Sequence, residues 1–538
     1  MTTSTPGTGG LLRSNLVVAV GTLLSRLTGL IRVMVLGFVV GQTSLADVYN
    51  SANSTPNTIY ELLLGGALSA SLVPLFTKQF ERKDDDATRA VITVSIIAIS
   101  VLTIVAVLAA PLVFRIYSLS PNSEVDPDQY RAAGTALARI FLVQIFFYVL
   151  TALATSLLNA RRRFFAAAWS PVLANLVIIA SILFVPMVMR HQVPVIGDVL
   201  TNGSLKLTLG LGATVGIAVM ALALYPAMKH ADVPLKISTD FRHPAIKQLL
   251  RLSGWTLGYA IANQISIIVV SNLALNSGEG QLDAYAKAFT FFVLPHGLLA
   301  VSIATTFEPE MSRNVVRRDR PAFIEQSSLG IRMVALLTLP AGMGLFVLRR
   351  PIIGAILEHN QFNSTDALNT SRALGGFAIG LVGFSVYLFV LRAFYAHHDA
   401  RTPFVINLFE NAINIVLAVV LIGRYGVMGL ALSFGFAYLV SAMFALLVLS
   451  YKVPGFGLKP LYTSLWRMLL ASIVMAEVVW IVARVVGGNS GTGAIVRTAA
   501  GTVIGAIVYA AVLLALGAPE LELLRNRFRP RRGAAPAV

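Results

Sequence analysis

The segment DVYNSANSTPNTIYELLLGG, Asp47 to Gly66, decides how this chain is read. Asn50, Ser54, Asn57 and Glu61 follow one another at i, i+4, i+7 and i+11, a single stripe along an α-helix, with Asn53 beside it. Long apolar runs lie on both sides, so the stripe belongs to a helix surrounded by hydrophobic ones. A polar stripe in such a place has two readings. It is a seam of hydrogen bonds between helices, each asparagine contributing about 1 kcal/mol, or it is the wall of an aqueous cavity. Glutamate is a poor adhesive, and Pro56 interrupts the backbone ladder and frees a carbonyl that only protein or water can satisfy. Both features favour the cavity wall.

The composition says what surrounds the segment. The chain has 538 residues, 56% hydrophobic and only 12% charged, with a mean hydropathy of +0.76. Soluble domains carry about twice that share of charge. Apolar runs of about 20 residues, enough to cross a hydrocarbon core of roughly 30 Å, begin near residues 14, 46, 88, 130, 168, 205, 245, 281, 324, 366, 402, 426, 463 and 494. The expected fold is an all-α polytopic membrane protein of about 14 transmembrane helices. Arg26 and Arg32 interrupt the first run and no small-residue cleavage site follows, so that run is read as a retained span.

The net charge of +17 comes from 42 Lys and Arg against 25 Asp and Glu. With the N-terminus inside, about 25 of the basic residues fall on the cytoplasmic side and about five outside, the positive-inside bias of a multi-pass protein. Arg161, Arg162 and Arg163, then Arg313, Arg317, Arg318 and Arg320, then Arg525, Arg527, Arg529, Arg531 and Arg532 all fall inside, whereas SPNSEVDPDQY is an acidic external loop. Both termini are expected in the cytoplasm. Without interleaved aromatics or a soluble platform, this basicity implies no nucleic-acid partner. The chain has no cysteine, which excludes disulfides and thiolate chemistry. Neither a nucleotide loop nor a hydrolytic constellation is present, and GLGATVG at Gly210 to Gly216 lies inside an apolar span as a helix-packing element.

The sequence repeats itself at an offset of about 232 to 238 residues. Leu11, Leu12 and Arg13 recur as Leu249, Leu250 and Arg251; Asp47 and Tyr49 as Asp283 and Tyr285; Pro74, Lys83 and Asp84 as Pro309, Arg318 and Asp319; PVLAN at Pro171 as PFVIN at Pro403. Six spans separate the copies, so both enter the membrane in the same direction. Parallel repeats are a transporter architecture. The expected organisation is a cytoplasmic tail over residues 1–13, one six-helix lobe over 14–230, a second over 231–451 related to it by pseudo-two-fold symmetry, two further helices over 452–517 and a basic cytoplasmic tail over 518–538.

Ionisable residues inside spans cost roughly 2.5 to 3.5 kcal/mol each and mark interior surfaces. In the first span Ser25, Thr28, Gly29 and Arg32 share a face, with Arg26 about a third of a turn away. Two guanidiniums suit a phosphate or pyrophosphate; the plainer reading is that they snorkel or pair with carboxylates. Lys287 is a candidate counter-charge for the same substrate, and His296 reads as a packed, hydrogen-bonded histidine. Asn407, Glu410, Asn411 and Asn414 form a stripe at i, i+3, i+4 and i+7. It is a sodium or proton site, or a polar seam between helices.

Four blocks carry a family likeness: LSRLTGLIR (Leu24–Arg32), LADVYNSANSTPNTIYELLLGGALSASLVPLF (Leu45–Phe76), LLNARRRFFAAAWSPVLAN (Leu157–Asn175) and FFVLPHGLLAVSIATTFEPEMS (Phe291–Ser312). Together they resemble the MurJ (MviN) family, the lipid II flippases of the MOP exporter superfamily, with an actinobacterial flavour. The first two blocks are the most specific. The resemblance implies a bacterial inner-membrane transporter, not an enzyme, with two lobes around a cationic cavity. Such proteins move undecaprenyl-pyrophosphate-linked peptidoglycan precursor to the outer leaflet by alternating access, and their last two helices form a groove for the lipid tail. It implies substrate contacts at Arg26, Arg32 and Asp47, with Asn50, Asn53, Asn57, Glu61 and Lys287 lining the same cavity. It implies no cofactor beyond a coupling sodium ion, a proton or the membrane potential. The expected partners are lipid II, membrane lipids and cell-wall synthesis proteins. A polysaccharide-lipid or multidrug exporter of the same superfamily, and a non-transporting cell-wall scaffold, are the alternatives.

The chain departs from the family pattern in three places. Val33 stands where an acidic residue often follows the second arginine, Tyr60 and Glu61 stand where paired arginines are expected, and Thr290 stands at the helix-eight arginine, with Lys287 one turn earlier. Glu61 is therefore expected to pair with Arg26 or Arg32 when no substrate is bound. Some actinobacterial relatives continue into a cytoplasmic pseudokinase-like domain; this sequence reads as a shorter member or as the membrane portion of a longer one.

Overall fold

The computed structural model describes residues 8–64, 67–121, 125–235, 238 and 254–520. The span start near 245, the Leu249–Arg251 repeat and the basic cluster from Arg525 onward lie outside these residues. Among the described residues all regular structure is helical. Packing groups the chain into two compact units, residues 1–287 with 359–366, and residues 288–358 with 367–538.

The first unit contains α1 (Thr8–Val40), α2 (Ser44–Leu64), α3 (Ala67–Glu81), α4 (Asp85–Leu108), α5 (Ala110–Ile116), α6 (Pro127–Phe141), α7 (Gln144–Ala160), α8 (Phe165–Val188), α9 (Asp198–Thr201), α10 (Gly203–Leu222), α11 (Tyr225–His230) and α12 (Gly254–Asn276). The boundary falls inside α13 (Gln281–Pro295). The core is aromatic where helices cross, with Phe76, Phe114, Tyr130 and Phe141 fully buried. Asn175 of α8 holds α1 by donating to the Ser25 carbonyl (3.1 Å) and the Thr28 hydroxyl (3.0 Å). The Ser25 and Thr28 edge of the predicted polar face is thereby used for helix packing.

The second unit continues through a π-helical turn, His296–Ala300, into α14 (Val301–Val316), α15 (Arg320–Ile356), α16 (Ser364–Ile379), α17 (Leu381–Ala396), α18 (Arg401–Tyr425), α19 (Val427–Lys452), α20 (Lys459–Val485) and α21 (Gly491–Ala515). Its centre is a cluster of phenylalanines, Phe289, Phe292, Phe377, Phe384 and Phe434, whose rings meet at 5.3 to 5.8 Å, largely tilted or edge-on. The C-terminal pair of helices is tied to α15: Tyr509 donates to the Leu336 carbonyl (2.9 Å), and the buried Glu520 accepts from Arg332 (3.2 Å) and Ser464 (2.8 Å).

Twelve helices among the described residues are long and apolar enough to cross a membrane, and α16 with α17, bent by 47°, meet the same length and apolarity when taken together as one broken span. The fourteenth expected span is α2. Its 21 residues reach about 31 Å, but its polar stripe keeps it below the apolarity of the others. α2 continues through Pro56, and the hydroxyls of Ser54 and Thr55 both return to the Ser51 carbonyl at 2.9 Å, beside the interrupted ladder.

The repeat is visible in local backbone geometry. Lys83 and Arg318 both adopt positive φ (55° and 58°), and the next residue in each case, Asp84 or Asp319, caps the following helix through its carboxylate. These caps stabilise by roughly 1 kcal/mol each. Arg162 and His398 form a second matching pair of left-handed turns (56° and 57°), after α7 and α17.

Candidate functional site

The polar residues of α2 divide by depth. Asp47 is buried (1% exposed) and both its oxygens are used: Oδ2 accepts from the Gly280 backbone N–H and Oδ1 from that of Asp283, each at 2.8 Å. The carboxylate caps the N-terminus of α13, where unpaired N–H groups and the helix dipole favour an anion. Asn50 donates to Asp283 Oδ1 (2.7 Å), and Asp283 forms an ion pair with Lys287 one turn on. Lys287 also lies 5.4 Å from the Phe362 ring centroid. Nearby, Glu279 accepts from both the N–H and the hydroxyl of Ser44 at 2.9 Å. Gly280 (φ +70°) fits because a Cβ there would meet the Gln42 carbonyl oxygen at 2.3 Å. The result is a dry polar clasp joining the start of α2 to the α12–α13 turn.

Towards the C-terminal end of α2 the side chains open out. Asn53 is half-buried and accepts from Gln144 of α7 (3.3 Å); Asn57 and Glu61 are exposed. Glu61 accepts from Asn57 (3.0 Å) and from Gln264 of α12 (3.3 Å). The expected ion pair between Glu61 and Arg26 or Arg32 is absent; two amides hold the carboxylate instead, and they do so without adding charge. Arg26 and Arg32 are both half-buried on α1, and among the described residues neither enters a hydrogen bond or ion pair. Arg32 lies within electrostatic reach of Tyr49 and Tyr148, and Tyr148 within reach of Tyr60 and Glu61 as well. Tyr60 and Tyr148 meet at 5.7 Å. The structure thus gathers Arg32, the tyrosines and Glu61 into one neighbourhood, whereas Asp47, Asn50 and Lys287 belong to the clasp.

The sequence reading missed the tyrosines, Gln144 and the role of Asp283. Tyr148 and Gln144 are isolated polar residues in an apolar run, QIFFYVL, and carry no periodic signal. Asp283 had one: it is the repeat partner of Asp47.

In the second unit the α18 stripe is wholly buried, Asn407 at 0%, Glu410 at 1%, Asn411 and Asn414 at 5%. Asn411 donates to the Asn407 carbonyl (2.9 Å) and Ser433 of α19 donates to Asn414 (3.0 Å). Glu410 Oε2 has no hydrogen-bond partner. A buried polar atom left without a partner is costly, which sets Glu410 apart from the hydrogen-bonded asparagines of the stripe.

Twelve or more helices able to cross a membrane, with unpaired cations inside one of them, mark a multi-pass membrane protein of the kind that carries polar cargo. The family model described as "Lipid II flippase MurJ" matches residues 38–501, and the chain belongs to that family. Curated relatives include a probable lipid II flippase MurJ of Rhizobium meliloti, 27% identical over 96% of this chain and 95% of its own length, and the lipid II flippase MurJ of Burkholderia cenocepacia, 29% identical over 79% and 81%. Among solved structures, a lipid II flippase MurJ in an inward closed conformation superposes with a TM-score of 0.75 at 23% identity, covering 92% of this chain and 98% of that one. An inward-facing multidrug resistance MATE transporter of the MOP superfamily gives 0.66 at 14%, covering 80% and 95%. These two show the shared fold.

Proposed function

We propose that this chain carries a polyprenyl-pyrophosphate-linked peptidoglycan precursor, lipid II, from the inner to the outer leaflet of the bacterial cytoplasmic membrane by alternating access, with both termini in the cytoplasm. The observation that carries the reading is the pair Arg26 and Arg32, permanently charged, half-buried and unpaired in a membrane helix. A pyrophosphate is the partner that two forked guanidiniums satisfy with least loss of hydration. Glu61, held by neutral amides, leaves that positive charge uncancelled, and the exposed Asn57 and Glu61 wet the path of the sugar–peptide head.

In this account the clasp around Asp47, Asn50, Asp283 and Lys287 keeps one end of the path shut. Lys287 reaches the substrate only after leaving Asp283. Glu410, with Asn407, Asn411 and Asn414, takes up the coupling sodium ion or proton. The lipid tail lies along α20 and α21, whose outer faces expose Trp466, Trp480, Ile481, Val503 and Ile507.

Native mass spectrometry of the purified chain with lipid II tests the cargo. The wild type retains lipid II and an Arg26→Gln, Arg32→Gln variant loses at least tenfold in retention. Equal retention by the two, or none by the folded wild type, overturns the reading in favour of a different exporter of the same fold.

A further inference from the structure

A second cationic site lies elsewhere in the first unit, away from Arg26 and Arg32. Arg115 of α5 and Arg131 and Arg139 of α6 line a cavity of about 550 Å³, together with Pro111, Asp128 and Thr135. Asp128, Thr135 and Arg139 fall at i, i+7 and i+11, one stripe of α6, opposite the face that buries Tyr130, Gly134, Leu137 and Phe141. Arg131 is fixed: its guanidinium donates to the carbonyls of Ser118 (3.2 Å) and Leu119 (3.1 Å). Arg115 and Arg139 are exposed and, among the described residues, neither enters a hydrogen bond or ion pair, with Asp128 or with any other group.

The depth of the site suggests what it binds. α6 and α7 form one crossing, Pro127–Ala160, of 34 residues, about 51 Å long at 1.5 Å per residue. That exceeds the hydrocarbon core by some 20 Å. Its far end runs into the basic turn Arg161–Arg163. About 20 residues cross the core, so counting back from Ala160 brings Arg139 to the opposite hydrocarbon boundary, with Arg131 and Arg115 on the headgroup side. Three residues before Pro111 and Arg115 in the chain, Leu108 is 76% exposed and Leu112 65%, apolar surface of the kind acyl chains cover. Three arginines at this end also run against the positive-inside bias that governs the rest of the chain.

We propose that this cavity is a binding site for the phosphate of a resident anionic phospholipid of the leaflet opposite the Arg161–Arg163 turn. Arg115 and Arg139 fork onto the phosphate oxygens, Arg131 braces the wall, and the acyl chains follow Leu108 and Leu112. The site is independent of the cargo path, and its test does not involve transport.

The test is native mass spectrometry of the full chain in detergent with dioleoylphosphatidylglycerol or dioleoylphosphatidylcholine. The wild type should retain the anionic lipid about tenfold more than the zwitterionic one. An Arg115→Gln, Arg139→Gln variant with an unchanged melting midpoint should lose that preference, and an Arg115→Lys, Arg139→Lys variant should recover part of it. A Gln variant that keeps the wild-type preference overturns the proposal. So does full displacement of the anionic lipid by millimolar inorganic phosphate, which would make this a free-anion site, or by equimolar lipid II, which would assign it to the cargo.

Discussion

Removing Asp283 should be among the most damaging single changes in the first unit, and removing Lys287 with it should undo most of the damage. The two side chains are 0% and 2% exposed and form an ion pair one helical turn apart. Asp283→Leu strands the Lys287 ammonium in a dry site. A buried pair stripped of one member typically loses about 3–5 kcal/mol, and the lost hydrogen bond from Asn50 adds about 1 kcal/mol. The double change Asp283→Leu, Lys287→Met removes both members of the pair and leaves Asp47 on its two backbone donors, the N–H groups of Gly280 and residue 283; apolar replacement of a buried pair is often neutral or better. The coupling between the two sites should therefore exceed about 2 kcal/mol. Thermal unfolding of the purified protein in detergent measures it: the single variant melts well below the wild type and the double variant returns most of the way. Additive effects, with the double variant least stable, would refute the claim that the pair is mutually dependent.

Three smaller predictions concern other elements. A Cβ on Gly380 would lie 2.3 Å from the Gly435 Cα, backbone that cannot step aside, whereas nothing lies within 4 Å of one on Gly344; Gly380→Ala should destabilise by about 1–3 kcal/mol and Gly344→Ala should stabilise by about 0.5–1 kcal/mol, as read by parallel melting curves. Burial raises the Asp399 carboxyl, but hydrogen bonds from Lys452 (2.8 Å) and Thr402 (2.6 and 3.0 Å) outweigh it and hold the group down at about 2. A depressed carboxyl contributes stability above its unfolded value near 4 and loses it as pH falls through 2; Asp399→Asn should flatten that part of the melting profile, by little, since Lys452 is 45% exposed. Glu410→Gln should fold at least as well as the wild type, because it exchanges a buried carboxylate, one oxygen of which has no partner, for a neutral amide, yet remove the dependence of transport on sodium or pH; an unaltered dependence would clear Glu410 of coupling.

What the sequence revealed and what it hid follow from the range of the forces involved. The spans were legible because crossing a bilayer demands length and apolarity, both local properties. Even α2, which fails on apolarity, was found from the period of Asn50, Asn57 and Glu61. The helix caps at Asp84 and Asp319 were legible as a repeat. Pairing was not. Glu61 was expected to meet an arginine because opposite charges attract, but its nearest donors, Asn57 and Gln264, are neutral amides, one of them 203 residues away in sequence. Lys287 reads from sequence as a counter-charge for the substrate; burial turns its i, i+4 neighbour Asp283 into a partner and makes the pair a closed contact. Periodicity gives the face of a helix but not the neighbour that covers it.

The central claim is that Arg26 and Arg32 hold the pyrophosphate of a translocated lipid. Its most direct test is lipid II translocation in bacterial cells depleted of their own flippase and supplied with this chain, scored by how much lipid II becomes accessible at the outer leaflet. The account predicts that the wild type restores translocation and that an Arg26→Ala, Arg32→Ala variant, expressed and folded at the wild-type level, does not. Normal translocation by that double variant would contradict it.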